Sequence, residues 1–378
     1  MLFAREAGLA PRVALDCRLL EWPGVGRYCI ELANALVTTA PDLRFFWLCA
    51  ARDCDRLPTA PNASPLVVGA RPFSIAEQIA VPYALRRHSI DLLHAPTSTM
   101  LPVLTPHLVV TVHDLILRRF PEFLPNPAGR AYYRVMTCAA VRRARRIITV
   151  SEFTRRDVIE CWPWVESKTR VILNGVAARF RPVRDAEKLR DISARLELRE
   201  NYVLYVGTRK RHKNLPRLLE AYGRLSAAQR ARCPFVLVAP SDKRYPEVES
   251  IVRRAGIGAD VHWLSNLDDD DLPALYTRAR FVVLMSIYEG FGFPVVEAQA
   301  CGTPALVAGA TSLPEVTGEG GIYADPYDVA SIHRGLARLI DDDALRDSLA
   351  HKALLNATRF RWENAAAQLA AVYREALS

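Results

Sequence analysis

Short runs of apolar, β-branched residues alternate with amphipathic helix-length segments along almost the whole of this chain, and they do so in two successive series. The runs at 12–16, 44–49, 91–95, 107–114 and 146–151 form the first; those at 202–208, 235–240, 260–265, 280–286 and 304–309 form the second. Helical patterns such as 214–225, 248–255 and 329–340 lie between them. Strands joined through helices cannot pair as hairpins. They run parallel, with the crossover helices covering both sheet faces. A length of 378 residues exceeds what one core organises. The expectation is therefore α/β, with two doubly wound parallel-sheet domains. Val171-Ile172-Leu173-Asn174-Gly175-Val176 reads as the last strand and turn of the first, and a charged stretch over 181–199 separates it from the second. The expected division is 1–182 and 183–361. Open parallel sheets bind ligands beyond the carboxyl ends of their strands, so the loops after the strands should carry the chemistry.

Composition removes several classes. No apolar run reaches the roughly 18 residues of a spanning helix, and the opening Met1-Leu2-Phe3-Ala4-Arg5-Glu6-Ala7-Gly8 lacks the apolar core of a signal peptide. A cytoplasmic protein is expected. The eight cysteines form no Cys-x-x-Cys pair and several sit in apolar segments, so they read as buried thiols rather than a disulfide frame or zinc site. The net charge of +9 suits a phosphate-bearing ligand or an anionic surface. The arginine groups at Arg86-Arg87, Arg142-Arg143-Ala144-Arg145-Arg146 and Arg155-Arg156 lack the interleaved aromatics that stack bases. Nucleic acid is not an expected partner.

Four loops stand out. The first is Glu289-Gly290-Phe291-Gly292-Phe293-Pro294-Val295-Val296-Glu297, after the run 280–286. Gly290 and Gly292 let a ligand approach the main chain. Pro294 suits a first helical turn, whose unpaired amides attract an anion. The second is Gly207-Thr208-Arg209-Lys210-Arg211-His212-Lys213, a cationic loop between a strand and a helix. Such a loop can stabilise the growing charge of a diphosphate leaving group without a metal. The third is Val112-His113-Asp114, at a strand end of the first domain; His94, at another, reads as structural. The fourth is Gly24-Val25-Gly26-Arg27-Tyr28, whose spacing does not match the dinucleotide fingerprint Gly-x-Gly-x-x-Gly. Asp268-Asp269-Asp270-Asp271 precedes a helix and reads as its acidic cap rather than a metal site.

The stretch from Glu289 through Glu297 to Cys301-Gly302-Thr303-Pro304, followed by Ser312-Leu313-Pro314-Glu315 and Tyr323-Ala324-Asp325-Pro326, resembles the donor motif of family 4 retaining glycosyltransferases. The likeness spans about residues 12 to 375. It implies the GT-B architecture: two Rossmann-like domains facing across a cleft, an acceptor-side first domain, and a C-terminal helix, 362–378, returning to it. It implies transfer of a sugar, of mannosyl type, from a nucleotide diphosphate sugar to a glycan or lipid-linked acceptor of cell-surface polysaccharide, with no cofactor and no metal. By resemblance, Lys213 and Arg209 hold the diphosphate, Glu297 the ribose, Glu289 with Phe291 and Gly292 the sugar, and His113 closes on it. Gly24, Gly26, Gly207 and Gly290 line the donor. In this family arginine often follows the glycine of the basic loop; here Thr208 stands there, and Arg209, Lys210 and Arg211 are the candidates to replace it. A nucleotide-sugar epimerase of the same fold and a non-catalytic binding module are the alternatives. The arginines at 130, 134, 142, 143, 145 and 146 suggest docking on an anionic cytoplasmic leaflet.

Overall fold

The computed structural model describes residues 10–97, 105–124, 126–265 and 267–378. The opening octapeptide lies outside them. Two units result, one ending at Gly175 and regaining Arg361–Ser378, the other spanning Val176–Phe360.

The first unit holds a seven-stranded parallel sheet. Its strands are β1 (Arg12–Asp16), β2 (Arg44–Cys49), β3 (Ala63–Val67), β4 (Leu92–Ala95), β5 (His107–Val112), β6 (Arg146–Thr149) and β7 (Thr169–Val171), in the order β3-β2-β1-β4-β5-β6-β7. The second holds six: β8 (Tyr202–Val206), β9 (Phe235–Val238), β10 (Val261–Leu264), β11 (Ala279–Leu284), β12 (Ala305–Ala308) and β13 (Gly321–Ala324), in the order β10-β9-β8-β11-β12-β13. Both sheets are the expected doubly wound kind, and the winding reverses between β1 and β4 and between β8 and β11. Those are the points at which a crevice opens at the carboxyl ends.

The units divide seven residues before the expected boundary at 182. Ala177 and Phe180 are buried in the second core, and Phe180 packs edge-on against Tyr276 at 5.9 Å. The chain has therefore joined the second domain before the charged stretch begins. Two strands escaped the pattern. β3, Ala-Ser-Pro-Leu-Val, carries a proline that only an edge strand tolerates, and β13 is a four-residue edge strand beginning with glycine.

The helix Trp362–Leu377 returns to the first unit as expected and packs on the helix Val25–Thr39. His94 is fully buried there. Its Nδ1 meets Tyr373 Oη at 2.7 Å and its Nε2 meets Thr111 Oγ1 at 2.7 Å. Burial pushes its pKa down to about 3, so the ring is a neutral structural link. Arg145 donates to the Ala376 carbonyl at 2.6 Å and Arg146 to Glu375 at 3.0 Å. These two arginines cap a helix end, where cations are favoured. Arg145 stays exposed despite this contact, and Arg146 is half-buried. The cysteines are all unpaired thiols; Cys138 is the exposed exception to the expected burial.

Candidate active site

The second sheet brings two of the four loops together at its switch point. β8 and β11 are hydrogen-bonded neighbours, with Val203 opposite Phe281 and Leu204 opposite Val282. The loop after β8 carries Lys213 and the loop after β11 carries Glu289. Lys213 Nζ donates to both Glu289 carboxylate oxygens, at 2.9 and 2.7 Å. Their side chains are only 16% and 14% exposed, so the pair is drier than a surface salt bridge. The Ile287 amide donates to the His212 carbonyl at 2.7 Å, which ties the same two loops through the backbone. Burial, reinforced by Lys213 and Lys210, holds the His212 ring at about 3 and neutral.

Gly292 has φ 105°, and a Cβ there would lie 2.8 Å from Leu313 Cδ2. Glycine is required on both counts. The helix Phe293–Ala300 starts at once, with Pro294 in its first turn and no side-chain cap. An uncapped helix start facing a switch point is a ready anion site. Ser312 Oγ donates to the Glu289 carbonyl at 2.8 Å and reaches the Phe291 carbonyl at 3.2 Å, fixing the turn that contains Gly290. Phe291 is buried edge-on against Phe293 and Phe360. Glu297, one turn into the helix and 1% exposed, accepts from Tyr276 Oη at 3.0 Å.

Gly207 has a packing reason beside any ligand reason. A Cβ would lie 2.9 Å from Tyr205 Oη, which donates to the Thr208 carbonyl at 2.7 Å and holds the basic loop from beneath. The guanidinium of Arg209 is ion-paired with Glu249 and stacked over Trp263 at 4.7 Å. The structure thus joins Lys213 to Glu289 but gives Arg209 other partners. Asp271 stands at the start of its helix without a side-chain cap bond; the acidic run instead closes its own turn, with Asp268 accepting from the Asp270 amide at 3.1 Å.

In the first unit, Gly24 adopts φ 84° in open space at the start of the helix Val25–Thr39. At Gly26 a Cβ would meet the Leu20 carbonyl at 2.1 Å, so close packing alone demands that glycine. His113 follows β5, packed edge-on at 4.8 Å from Tyr28. Burial pushes its pKa down to about 4, opposed by a hydrogen bond to the Pro96 backbone. Proline offers only a carbonyl, so a ring N–H is the donor. Nε2 is buried without a hydrogen-bond partner, so Nδ1 donates and Nε2 keeps its lone pair. A neutral ring in that tautomer accepts a hydroxyl proton in a hydrogen bond.

Tyr276 carries no signal in the sequence, and Ser312, inside the motif, and Tyr205, near the end of its strand, give no sign there of what their hydroxyls touch. Only the register of the finished fold reveals that their hydroxyls reach the motif.

Residues 22–180 match the family described as Glycosyltransferase Family 4, and residues 187–355 match Glycosyl transferases group 1. The chain is 30% identical over 370 residues to O-antigen chain mannosyltransferase B of Escherichia coli, covering 93% of this chain and 96% of that one. It superposes on the sucrose-phosphate synthase of Thermosynechococcus elongatus with a TM-score of 0.78 at 21% identity, covering 97% and 98% of the two chains. It matches Anabaena HepE in complex with UDP and glucose with a TM-score of 0.78 at 20% identity, covering 97% and 100%. These two structural likenesses speak for the fold.

Proposed function

This chain belongs to the family 4 glycosyltransferases, and from that premise we propose that it moves a mannosyl residue, with retention and without a metal ion, from a nucleotide diphosphate sugar to a lipid-linked glycan. The observation that carries the reading is the Lys213–Glu289 pair, with the uncapped start of Phe293–Ala300 beside it, at the switch point of the second sheet. Lys213 and the helix start take the diphosphate; Arg209, whose Nε is buried without a partner, is the second cation. Glu297 takes the ribose hydroxyls. Glu289 and the amides of Phe291 and Gly292 orient the sugar, and His113 Nε2 accepts from one of its hydroxyls. Gly24 and Gly290 let the donor approach the main chain of their loops. Retention follows from attack on the face the diphosphate leaves, with the departing phosphate taking the acceptor proton. No carboxylate nucleophile is then needed, unlike a retaining hydrolase. Mannose is the sugar named for the Escherichia coli relative.

Incubation with a panel of nucleotide sugars tests the donor. The true donor should raise the melting temperature by mass action, and the anomeric configuration of the product reports retention. Protection by none of the diphosphate sugars would overturn the reading. Because fixed cations supply the charge a metal would otherwise bring, turnover is expected to survive EDTA. Loss of activity in EDTA with rescue by magnesium would contradict that.

For the membrane, Arg130, Arg134 and Arg142 are exposed on the helix Pro127–Arg143 and make no ion pair among the described residues. Ile79 and Tyr83 are exposed one turn apart on the helix Glu77–Arg87, which ends in Arg86 and Arg87, and Ile75 is exposed just before it. No described helix is long and apolar enough to cross a membrane. Docking on a cytoplasmic leaflet would therefore be peripheral, at about 1 kcal/mol per basic residue. The protein should pellet with anionic vesicles at low salt and release as salt rises; protein left in the supernatant at low salt removes the membrane from the reading.

A further inference from the structure

The loop after β1, at the switch point of the first sheet, exposes an aromatic stack that the donor chemistry does not use. Trp22 and Phe73 lie face to face, with ring centroids 5.5 Å apart and planes 23° apart, yet they remain 46% and 39% exposed. Phe73 has φ 61°, a left-handed conformation uncommon for a bulky side chain. Strain of this kind persists only where the surroundings impose it, and such places cluster at ligand sites.

What imposes it is a buried charge cluster. The Phe73 amide donates to Glu77 Oε1 at 3.1 Å. Glu77 is fully buried, and its other oxygen accepts from Arg18 Nη2 at 3.1 Å. Arg18 in turn grips Asp16, the last residue of β1, through two bonds of 2.8 and 2.7 Å, and reaches the Ala70 carbonyl at 3.4 Å. Three buried charges contribute little net stability, because desolvation offsets their attraction. Their effect here is geometric: they clamp the segment 70–77 to the end of β1 and set Phe73 against Trp22.

A flat, exposed aromatic face fixed at a strand's carboxyl end suits the apolar face of a pyranose ring, whose C–H bonds pack on the π-system while its hydroxyls point outward to water and polar neighbours. Beside Trp22 stands Glu21, its side chain 64% exposed and paired with Arg52. A carboxylate at the rim accepts sugar hydroxyls. We propose that Trp22 and Phe73 form a stacking subsite for a mannosyl ring of the acceptor glycan. The proposal rests on the reading of the acceptor as a mannose-bearing chain.

The test uses soluble α-linked mannotetraose as the probe and the full-length variants Trp22→Ala and Phe73→Gly. The second removes the ring while relieving the positive φ, so it should fold even if the first does not. Both should weaken mannotetraose binding, and raise its KM as acceptor, by about tenfold or more, the loss of roughly 1.4 kcal/mol. Affinity for nucleoside diphosphate and the rate of donor hydrolysis should not move, and Trp22→Tyr should restore most of the binding. Binding is measured without turnover, so a failure of the donor assignment leaves this result readable. Unchanged mannotetraose affinity in both variants overturns the subsite, as does a wild-type protein that does not bind it. Unchanged affinity with lost pelleting on anionic vesicles would assign the stack to a lipid surface instead.

Discussion

Replacing Lys213 by alanine is expected to lower turnover about 10²–10³-fold, the loss typical of removing one donor to a developing oxyanion. Lys213 ends the 3-10 turn Arg211–Lys213, and the next residue, Asn214, adopts φ 60° with its side-chain amide donating to the Pro326 carbonyl at 2.6 Å. The backbone at the lysine is thus pinned before any donor arrives. Glu289 then holds the ammonium through two bonds. A cation fixed in a partly dried site needs no reorganisation when the leaving group gains charge. The alanine variant also leaves the Glu289 carboxylate without this partner, so the single change overstates the lysine's own share. The double variant Lys213→Ala, Glu289→Gln isolates it, because neighbours in direct contact do not add. Lys213→Arg should not rescue fully, since a planar fork cannot replace a point charge at two oxygens and a phosphate together. A fall of less than about threefold in kcat, against the 10²–10³-fold expected for an oxyanion donor, would remove Lys213 from the leaving-group role.

Much of this arrangement is legible in the sequence, and what is not has physical reasons. Buried parallel strands appear as apolar runs because both their faces are covered, which is why β1, β2, β5, β8 and β11 stand out. β3 and β13 lie at sheet edges, one carrying a proline and the other a glycine, and give no such run. Motif residues on loops are visible because glycine, proline and charge at strand ends have few other reasons to coincide. Partners that arrive from elsewhere in the chain are invisible. Tyr276 lies in the helix Leu272–Arg278, far in sequence from Glu297, and only the packing of that helix beside Phe293–Ala300 aligns its hydroxyl with the carboxylate. Arg18 is visible as a charge after β1, but its grip on Glu77 crosses 59 residues. Glycines misled in a different way. Gly26 and Gly207 sit in the expected loops, yet Leu20 and Tyr205 already account for their missing side chains.

Glu297→Gln is the second change with a large expected effect, and it acts on binding rather than on turnover. Glu297 is 1% exposed and held by Tyr276 Oη at 3.0 Å. Hydrogen bonds to a charged group contribute about 1.5–3 kcal/mol, so losing the charge should weaken free nucleoside diphosphate by roughly 10- to 100-fold. The amide keeps the size of the carboxylate and can still accept from Tyr276, so the fold should survive. Tyr276→Phe separates contact from positioning. It removes the hydroxyl that orients the carboxylate but keeps the charge, and should cost less nucleotide affinity than Glu297→Gln. Its cost should also vanish in the Glu297→Gln background if the tyrosine acts only through the glutamate. Calorimetric titration of the four proteins with the nucleoside diphosphate measures all of this. Unchanged affinity in Glu297→Gln would take the ribose contact away from this residue. Additive losses in the double variant would show that Tyr276 reaches the nucleotide directly.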